Sequence, residues 1–278
     1  MTKDSNHISF TKMQGAGNDF VVLDNRSQSL SKEELIELAP KICDRKFGVG
    51  SDGILALLPP EMEQADYTMF YRNPDGSDAG MCGNGARCIA LFAHSLGFDA
   101  RHQFNVHNQI YEAEVKDSNT VRISFPMKAS AHEVTIDGQT LYSIHTGTEH
   151  IVTTKDDQSL SDEDRLREEG RLLRHHSQFQ PKGTNVNFIC GMDNDSLKLQ
   201  TFERGVEDLT LACGTGAIAS ALIWHHIQKT DSRHNTFSVE TEGGSLTVYF
   251  DYEPSDQQFT NIKLEGPAHF VFEGKYKH

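Results

Sequence analysis

Two cysteines stand in a repeated sequence context that could carry out proton transfer. Cys82 begins the string CGNGA and Cys213 begins CGTGA, and each string leads directly into an apolar, helix-forming segment. The partial positive charge of a helix N-terminus stabilises a thiolate, and it can lower the pKa of a thiol well below its free value of about 8.5. We therefore expect both cysteines to exchange protons near neutral pH.

The residues that follow each cysteine predict an anion-binding site. Gly83 and Asn84 follow the first cysteine, and Gly214 and Thr215 follow the second. Backbone N–H groups at such glycine-rich helix starts are unhindered and suit a substrate carboxylate. If two such helix starts face one ligand, a thiolate can remove an α-proton from one face while a thiol returns a proton to the other. That reaction inverts a stereocentre and requires no cofactor.

Length and composition set the class of protein. A chain of 278 residues is long enough for two domains, and 37% hydrophobic with 24% charged residues is typical of soluble globular proteins. No segment approaches the roughly 20 apolar residues of a membrane helix, so no membrane partner is expected. A net charge of -14 opposes binding to nucleic acid. The opening residues, MTKDSNHISF, lack the pattern of a targeting signal, which favours a cytoplasmic location.

The other cysteines and the histidine pairs are predicted to have no catalytic or metal-binding role. Three cysteines outside the repeated strings are predicted to be small buried residues, namely Cys43, Cys88 and Cys190. An odd number of dispersed cysteines makes a disulfide framework improbable. The spacing of Cys82 and Cys88 does not match a metal site, and the doublets His175-His176 and His225-His226 are predicted to lie at the surface. No lysine motif indicates pyridoxal phosphate, so we expect no metal and no cofactor.

The order of predicted elements repeats along the chain. A strand, a turn, a cysteine string and a helix occur around YTMFYRNPDGSDAGMCGNGARC and again from GTNVNFI to ALIWHHIQK. The cysteines lie 131 positions apart (213 minus 82), nearly half the chain, which favours a duplicated architecture with approximate two-fold symmetry. Elsewhere, the pattern predicts a helix after Ser31, strands between Gln103 and Thr153, and one solvated helix in the acidic tract from Lys155. The spacing of GVGSDG also matches a dinucleotide-binding loop, but a strand-like segment follows it, so that interpretation is disfavoured.

The sequence resembles the diaminopimelate epimerase family through GAGNDF, GVGSDG, NPDGSDAGMCGNGARC, GTNVNF, ERGVEDLTLACGTGA and EGGSLTV. The resemblance implies an α+β fold of two pseudo-symmetric domains, each a mixed β-sheet or barrel wrapped around a central helix. Residues 1–126 with 266–278 would form the half that carries Cys82, and residues 127–265 the half that carries Cys213. The active site would lie in the cleft between these halves.

The resemblance also implies an activity and a set of site residues. The reaction would be cofactor-independent interconversion of LL- and meso-diaminopimelate, in lysine and cell-wall precursor biosynthesis, with Cys82 and Cys213 as the acid/base pair. His150 and Glu203 would be accessory residues. The substrate-binding residues carried over from the family are Asn18, Asn73, Gly83, Asn84, Asn185, Glu203, Arg204, Gly214 and Thr215. A guanidinium can bind a carboxylate with two hydrogen bonds, and a carboxylate can accept from an ammonium group, as a second amino-acid centre requires.

Three positions depart from the pattern of the family. Thr148 stands where relatives usually have asparagine, the segment ERGVEDLT is one residue longer and places Leu209 before Thr210, and some relatives carry glutamine at the position of Gly53. These departures concern the binding residues and leave both cysteine strings intact.

Several alternatives remain open from the sequence. One is a related racemase or epimerase for another amino acid such as histidine, although Asn84 argues against proline-type members, which place histidine there. Others are a thiol redox protein that uses Cys82 and Cys213, and an amino-acid-binding protein without turnover. The expected partner is a small-molecule amino-acid substrate, and homodimer formation is left open.

Overall fold

The computed structural model describes residues 7–277, which form two compact units. Unit 1 falls within Met1–Ile123 and Gly266–His278, and unit 2 is Ser124–Glu265. The expectation about a targeting signal rests largely on residues 1–6, which lie outside the described residues. Within 7–277, no helix has both the length and the apolar character needed to span a bilayer.

Unit 1 contains a mixed sheet and three helices within its described residues. Its strands are β1 (His7–Gly15), β2 (Asn18–Asp24), β3 (Ile54–Leu58), β4 (Tyr67–Arg72), β5 (Arg101–Val106), β6 (Gln109–Val115), β7 (Thr120–Ser124) and β17 (His269–Lys277). Its helices are α1 (Asn25–Gln28), α2 (Lys32–Ile42) and α3 (Gly83–Ser95). Antiparallel pairs join β17 to β1 and β1 to β2, and a parallel pair then joins β2 to β3. The series continues with β3–β4 antiparallel, β4–β5 parallel and β5–β6 antiparallel.

Helix α2 forms where the sequence predicts it. Ser31 is the N-cap, and its side chain and that of Glu34 bond each other's backbone N–H groups in a reciprocal capping box. The apolar face of α2 is buried against strands β2 and β3 in a cluster that includes Leu35, Val21 and Ile54. This helix therefore covers one face of the unit 1 sheet.

Helix α3 is the central helix of unit 1. Every residue from Gly83 to Ala93 is buried, because α3 has contacts with β1, β2, β3, β4 and β6. A helix that is apolar on all sides is stable only inside a core. One charged residue, Arg87, interrupts this otherwise apolar surface and is fully buried.

Unit 2 repeats these components. Its strands are β8 (His132–Ile136), β9 (Gln139–His145), β10 (Glu149–Thr154), β11 (Asn185–Gly191), β12 (Ser196–Glu203), β13 (Asp208–Thr210), β14 (His234–Thr241), β15 (Gly244–Glu253) and β16 (Gln258–Pro267). Its helices are α4 (Asp157–Leu160), α5 (Glu163–Arg174) and α6 (Gly214–Gln228), with a short 3-10 helix at Ser177–Phe179. Nearly all residues in the first three turns of α6 are buried, as in α3.

The strand pairings of unit 2 follow the same order as those of unit 1. From β8 to β11 the pairs are antiparallel, antiparallel and parallel, which matches the series from β17 through β1 and β2 to β3. The pairs β11–β12, β12–β14 and β14–β15 then repeat the antiparallel, parallel, antiparallel series of β3 to β6. Strand β13 is an addition that pairs with β12. The predicted α+β fold of two similar halves, each with a central helix, is confirmed.

Two local predictions are wrong. The acidic tract forms two helices instead of one, because Asp156 and Asp162 each cap a helix by accepting a bond from a backbone N–H group. The second capping aspartate starts a new helix where one continuous helix was expected. His225 is 1% exposed instead of lying at the surface, because α6 carries it into a group of aromatic rings.

Candidate active site

Cys82 is the N-cap residue of α3. Its backbone is extended, with φ -120° and ψ 120°, and the N–H group of Gly85 donates to its sulfur at 3.4 Å. The side chain is partly buried, whereas Gly83 and Asn84 immediately after it are buried. The first cysteine string therefore has the predicted geometry, with a thiol at the positive end of a central helix.

Asn18 approaches the Cys82 thiol from the start of β2. Its side-chain nitrogen donates to Asp52 at 2.6 Å, so its oxygen is the atom that faces the Cys82 sulfur, at 3.8 Å. The amide orientation follows from this hydrogen bond, because a carboxylate only accepts. The sequence predicted Asn18 as a site residue but gave no indication that Asp52, 34 positions away, would orient it.

Charged residues hold this turn of unit 1 in place. Arg45 bonds both Asp19, at 2.7 Å, and Asp52, at 2.8 Å, and the buried ammonium group of Lys12 pairs with Asp19. Burial alone would raise the pKa of Asp19, but the bonds from Arg45 and Lys12 outweigh burial and lower it to about 2. Asp52 accepts the bond from Asn18, and Arg45 ties Asp52 to Asp19.

Asn73 lies in the turn after β4. Its side-chain nitrogen donates to the hydroxyl of Ser77 at 3.0 Å, and its backbone bonds Ser77 and Gly76. These contacts account for an asparagine at a turn. They do not bring Asn73 to the Cys82 sulfur, so a binding role for this residue stays a prediction.

Cys213 is the N-cap residue of α6 and is 7% exposed. Unlike Cys82, its side chain makes no capping bond to the helix backbone. Its sulfur lies instead 3.6 Å from the hydroxyl of Thr215, and the Thr215 carbonyl accepts a bond from Thr146 at 2.9 Å. The second cysteine thus interacts with a side-chain hydroxyl, whereas the first interacts with a backbone amide and with the side-chain oxygen of Asn18.

His150 lies behind Thr215 and is neutral. Burial, together with the nearby Arg204 guanidinium and His145 ring, lowers the pKa of His150 to about 3. Its Nε2 atom is 3.0 Å from the Thr215 hydroxyl, and Asn187 donates to its Nδ1 atom at 3.0 Å. Since Nδ1 accepts, the ring proton is on Nε2 and is donated to Thr215. The Thr215 hydroxyl is then oriented to donate to the Cys213 sulfur.

Asn187 fixes this arrangement from β11. It is fully buried, its nitrogen also donates to the carbonyl of Ile151 at 2.9 Å, and its oxygen accepts from Thr201 at 3.0 Å. Gly216 lets α6 approach this side chain, because a Cβ atom there would lie 2.5 Å from the Asn187 oxygen. Asn187 was not predicted as a site residue from the sequence, although it lies in GTNVNF, two positions after the predicted Asn185.

Arg204 and Asn185 form a second polar group in unit 2. The Asn185 oxygen accepts from the backbone N–H of Arg204 at 2.9 Å, and its nitrogen donates to the carbonyl of Glu149 at 3.0 Å. The Arg204 guanidinium donates to the hydroxyl of Thr148 at 2.8 Å and to the carbonyl of Lys182 at 3.3 Å. Thr148, the first departure from the family pattern, is therefore in direct contact with a predicted binding residue.

The other two departures also have structural explanations. Glu203 accepts a bond from the Thr210 hydroxyl at 3.0 Å, across the β12–β13 pair. Leu209 in that strand packs against the core cluster of unit 2, so the longer segment is anchored by an apolar side chain. At Gly53, a Cβ atom would lie 2.5 Å from the Tyr71 ring and 2.6 Å from the carbonyl of Arg72. A larger residue there would require Tyr71 to move.

Each unit therefore brings together a thiol, a glycine-rich helix start and polar side chains. In unit 1 these are Cys82, Gly83, Asn84 and Asn18; in unit 2 they are Cys213, Gly214, Thr215 and His150. Helix-terminal N–H groups can bind a carboxylate, and the thiols can accept or donate a proton. Over residues 7–277, no group of three or more His, Cys, Asp or Glu side chains could hold a metal ion.

Solved structures with the same fold define the class. A phenazine biosynthesis protein of the PhzF family from Bacillus anthracis matches with a TM-score of 0.74, covering 97% of this chain and 98% of its own, at 14% identity. A hydroxyproline epimerase from Agrobacterium vitis, with bound trans-4-hydroxy-L-proline, matches with a TM-score of 0.71, covering 100% and 94%, also at 14% identity. The chain has the fold shared by these proteins.

Sequence comparison gives the family within that class. The model of the family described as diaminopimelate epimerase matches residues 10–130 and 142–270. The diaminopimelate epimerase of Flavobacterium psychrophilum is 39% identical over 264 residues, covering 94% of this chain and 97% of that protein. The one from Aquifex aeolicus is 36% identical over 284 residues, covering 96% and 97%. The chain belongs to the diaminopimelate epimerase family and is an isomerase.

Proposed function

We propose that the protein interconverts LL- and meso-diaminopimelate without a cofactor, in lysine and cell-wall precursor biosynthesis. The observation that carries this proposal is the repeated placement of a cysteine as N-cap of a glycine-rich central helix, at Cys82 and at Cys213. Family membership supports the substrate, since the relatives are named for diaminopimelate.

In the proposed mechanism the two cysteines act on opposite faces of one α-carbon. One thiolate removes the α-proton and becomes a thiol, and the C–H electron pair moves into the carboxylate as an enediolate. The other thiol donates its proton to the opposite face and becomes a thiolate. In each direction one proton is removed from the α-carbon and one is returned, so no proton is gained or lost overall. The reverse reaction exchanges the roles of the two cysteines.

The helix starts would stabilise the enediolate. An α-proton of an amino acid is a very weak acid, and its removal needs fixed dipoles directed at the developing negative charge. The N–H groups of Gly83 and Asn84 in unit 1, and of Gly214 and Thr215 in unit 2, are suited to this role because they begin helices of 13 and 15 residues.

Residues of unit 2 would bind the distal amino-acid centre. Arg204 carries a guanidinium suited to a carboxylate, and Glu203 carries a carboxylate suited to an ammonium group. Both residues are partly buried at the end of β12, where solvent screening is reduced. This pair of opposite charges favours a substrate with a second zwitterionic centre over a simple amino acid.

The test is turnover of the purified, reduced protein with LL-diaminopimelate, followed by chiral chromatography of the product. We expect the meso isomer to accumulate until both isomers reach equilibrium. L-Histidine and L-lysine serve as comparison substrates and are expected to remain unchanged. Inversion of histidine without inversion of diaminopimelate would contradict the proposed substrate and would favour the alternative racemase.

The thiol redox alternative is tested by oxidation. A redox protein would cycle between dithiol and disulfide forms, whereas the proposed reaction requires both sulfurs to be reduced. We expect activity to be lost when Cys82 and Cys213 are oxidised and to return with a reductant. Full activity of a protein with a proven Cys82–Cys213 disulfide would contradict the two-thiol mechanism.

A further inference from the structure

Arg87 is a buried cation for which the mechanism above has no use. It lies in α3, five positions after Cys82, and has no exposed surface. Over residues 7–277 it forms no ion pair with a carboxylate. Burial lowers the pKa of Arg87 to about 10, and the neighbouring thiols of Cys88 and Cys82 oppose that shift. The guanidinium is therefore charged at neutral pH.

The guanidinium is directed back toward the start of α3. It donates to the carbonyl of Gly83 at 3.3 Å, to the side-chain oxygen of Asn84 at 2.7 Å and to the carbonyl of Pro267 at 3.1 Å. Gly83 and Asn84 are the two residues that follow Cys82. All three acceptors are neutral, so the positive charge is hydrogen-bonded but not neutralised.

Packing does not explain an arginine at this position. Burying a charge without a counter-charge is costly, and a hydrophobic residue of similar size is often more favourable. The equivalent position in unit 2 is apolar: the fifth residue after Cys213 is Ile218, which is also fully buried. The fifth position after the N-cap cysteine can therefore hold an apolar side chain, so the charge of Arg87 in unit 1 needs an explanation other than packing.

We propose that Arg87 is a positioning residue that stabilises the thiolate of Cys82 with its buried positive charge and fixes the Asn84 side chain beside it. A cation near a thiol lowers its pKa, and the effect is large where water is excluded. The inference rests on the proposed function only for the use of Cys82 in proton transfer.

Cys88, Asn18 and the carboxylates of Asp19 and Asp52 do not supply such a positive charge. On α3, burial raises the pKa of Cys88 to about 12, so that thiol is neutral. From β2, the Asn18 oxygen faces the sulfur and favours the protonated form, but it is a neutral dipole at 3.8 Å. The carboxylates of Asp52 and Asp19 lie around the Asn18 turn, and Arg45 and Lys12 pair with them. Unlike Arg45 and Lys12, Arg87 pairs with no carboxylate within residues 7–277, so its charge can act on the thiolate.

The experiment measures the pKa of Cys82 without any substrate. The reduced protein is treated with iodoacetamide across a range of pH, and alkylation of each cysteine is followed by peptide mass spectrometry. In the wild type we expect Cys82 to titrate below the free value of about 8.5. In Arg87→Met we expect its pKa to rise by about one unit, which slows alkylation at pH 7 by about tenfold. Cys190, partly buried in unit 2, should be alkylated at the same rate in both proteins.

Two further variants separate charge from packing. Arg87→Lys keeps the charge and loses the forked hydrogen bonds, so we expect the Cys82 pKa to stay near the wild-type value. Ile218→Met changes the matched position of α6 and should leave Cys82 unaffected. A folded Arg87→Met protein with an unshifted Cys82 pKa would overturn the proposal. If Arg87→Met does not fold, two other results would overturn the proposal. One is a wild-type Cys82 pKa at or above 8.5, and the other is a large rise of the Cys82 pKa in Arg87→Lys. Because no turnover is measured, these outcomes are independent of the choice of substrate.

Discussion

The two units share one framework but surround their cysteines differently. In unit 1 a buried cation, Arg87, and a backbone amide lie near Cys82, whereas in unit 2 a neutral histidine acts on Cys213 through the hydroxyl of Thr215. A duplicated fold can therefore retain its strand order while the electrostatics around equivalent residues diverge. A two-base reaction needs one thiolate and one thiol at any moment, and different surroundings provide a physical basis for that division.

The largest expected effect comes from removing either thiol. Cys82→Ala and Cys213→Ala should each lower the rate of epimerisation by about a thousandfold or more, because a positioned acid or base contributes about that factor. The two losses should be similar, since in the proposed mechanism each cysteine supplies one of the two proton transfers. The measurement is turnover of LL-diaminopimelate, with Cys190→Ala as the folded control. More than a tenth of the wild-type rate in either variant would contradict equal roles for the two units.

A smaller effect is expected from the hydroxyl that is specific to unit 2. Thr215→Val removes the link between His150 and Cys213 and should lower kcat by roughly tenfold to a hundredfold. A loss of this size corresponds to the free energy of one hydrogen bond to a charged group. Thr215→Ser retains the hydroxyl and should stay close to the wild type. The pH dependence of kcat for both variants checks this, and an unchanged profile in Thr215→Val would show that the hydroxyl does not act on the Cys213 sulfur.

The contact between Thr148 and Arg204 should affect binding more than chemistry. Thr148→Val removes the acceptor for the guanidinium and should raise KM about fivefold, equivalent to about 1 kcal/mol, with kcat unchanged. Thr148→Ser keeps the acceptor and is the matched control. Steady-state kinetics separate the two parameters. A fall in kcat without a rise in KM would place Arg204 near the reacting centre instead of the distal end of the substrate.

A separate effect, on stability instead of activity, is expected for the acid stability of unit 2. His225 is buried against Phe237, Phe250, Tyr252 and Phe259, and burial lowers its pKa from 6.5. Below pH 6.5 the unfolded chain binds a proton that the folded unit does not, so the free energy of unfolding falls as the pH falls. For one such histidine the free energy of unfolding falls by about 1.4 kcal/mol for each pH unit below 6.5.

Replacing His225 tests this slope. His225→Phe removes the titrating group, so the loss of stability between pH 7 and pH 5 should be smaller by up to about 2 kcal/mol. Urea unfolding at the two pH values measures the difference. His175→Phe, at an exposed position of the same unit, should behave as the wild type. An equal pH dependence in His225→Phe and the wild type would mean that His225 does not govern the acid stability.

Much of the framework was predictable from local patterns. The capping signal at Ser31 and the two cysteine strings are short-range features, and the structure has the predicted helices at each of them. The prediction of one helix in the acidic tract was wrong because two capping aspartates, Asp156 and Asp162, lie six positions apart inside a pattern that otherwise suits one helix.

Contacts between distant residues were not predictable in the same way. Asp52 orients Asn18 across 34 positions, and Asn187 reaches His150 across 37. Neither aspartate nor asparagine differs in the sequence from an ordinary turn or strand residue. Arg87 did leave a signal, since it is a single cation inside the apolar segment ARCIALFA. A charge at a position that must be buried is a reason to look for a functional neighbour.

The central claim is that two different cysteines remove and return the α-proton. The most direct measurement is conversion of LL-diaminopimelate in D₂O, with deuterium content determined separately in product and recovered substrate at low conversion. With two bases, the meso product should carry deuterium at the inverted centre, while the recovered LL substrate should remain almost free of it. A product that retains its original proton, or equal deuterium in both isomers from the earliest times, would contradict the account.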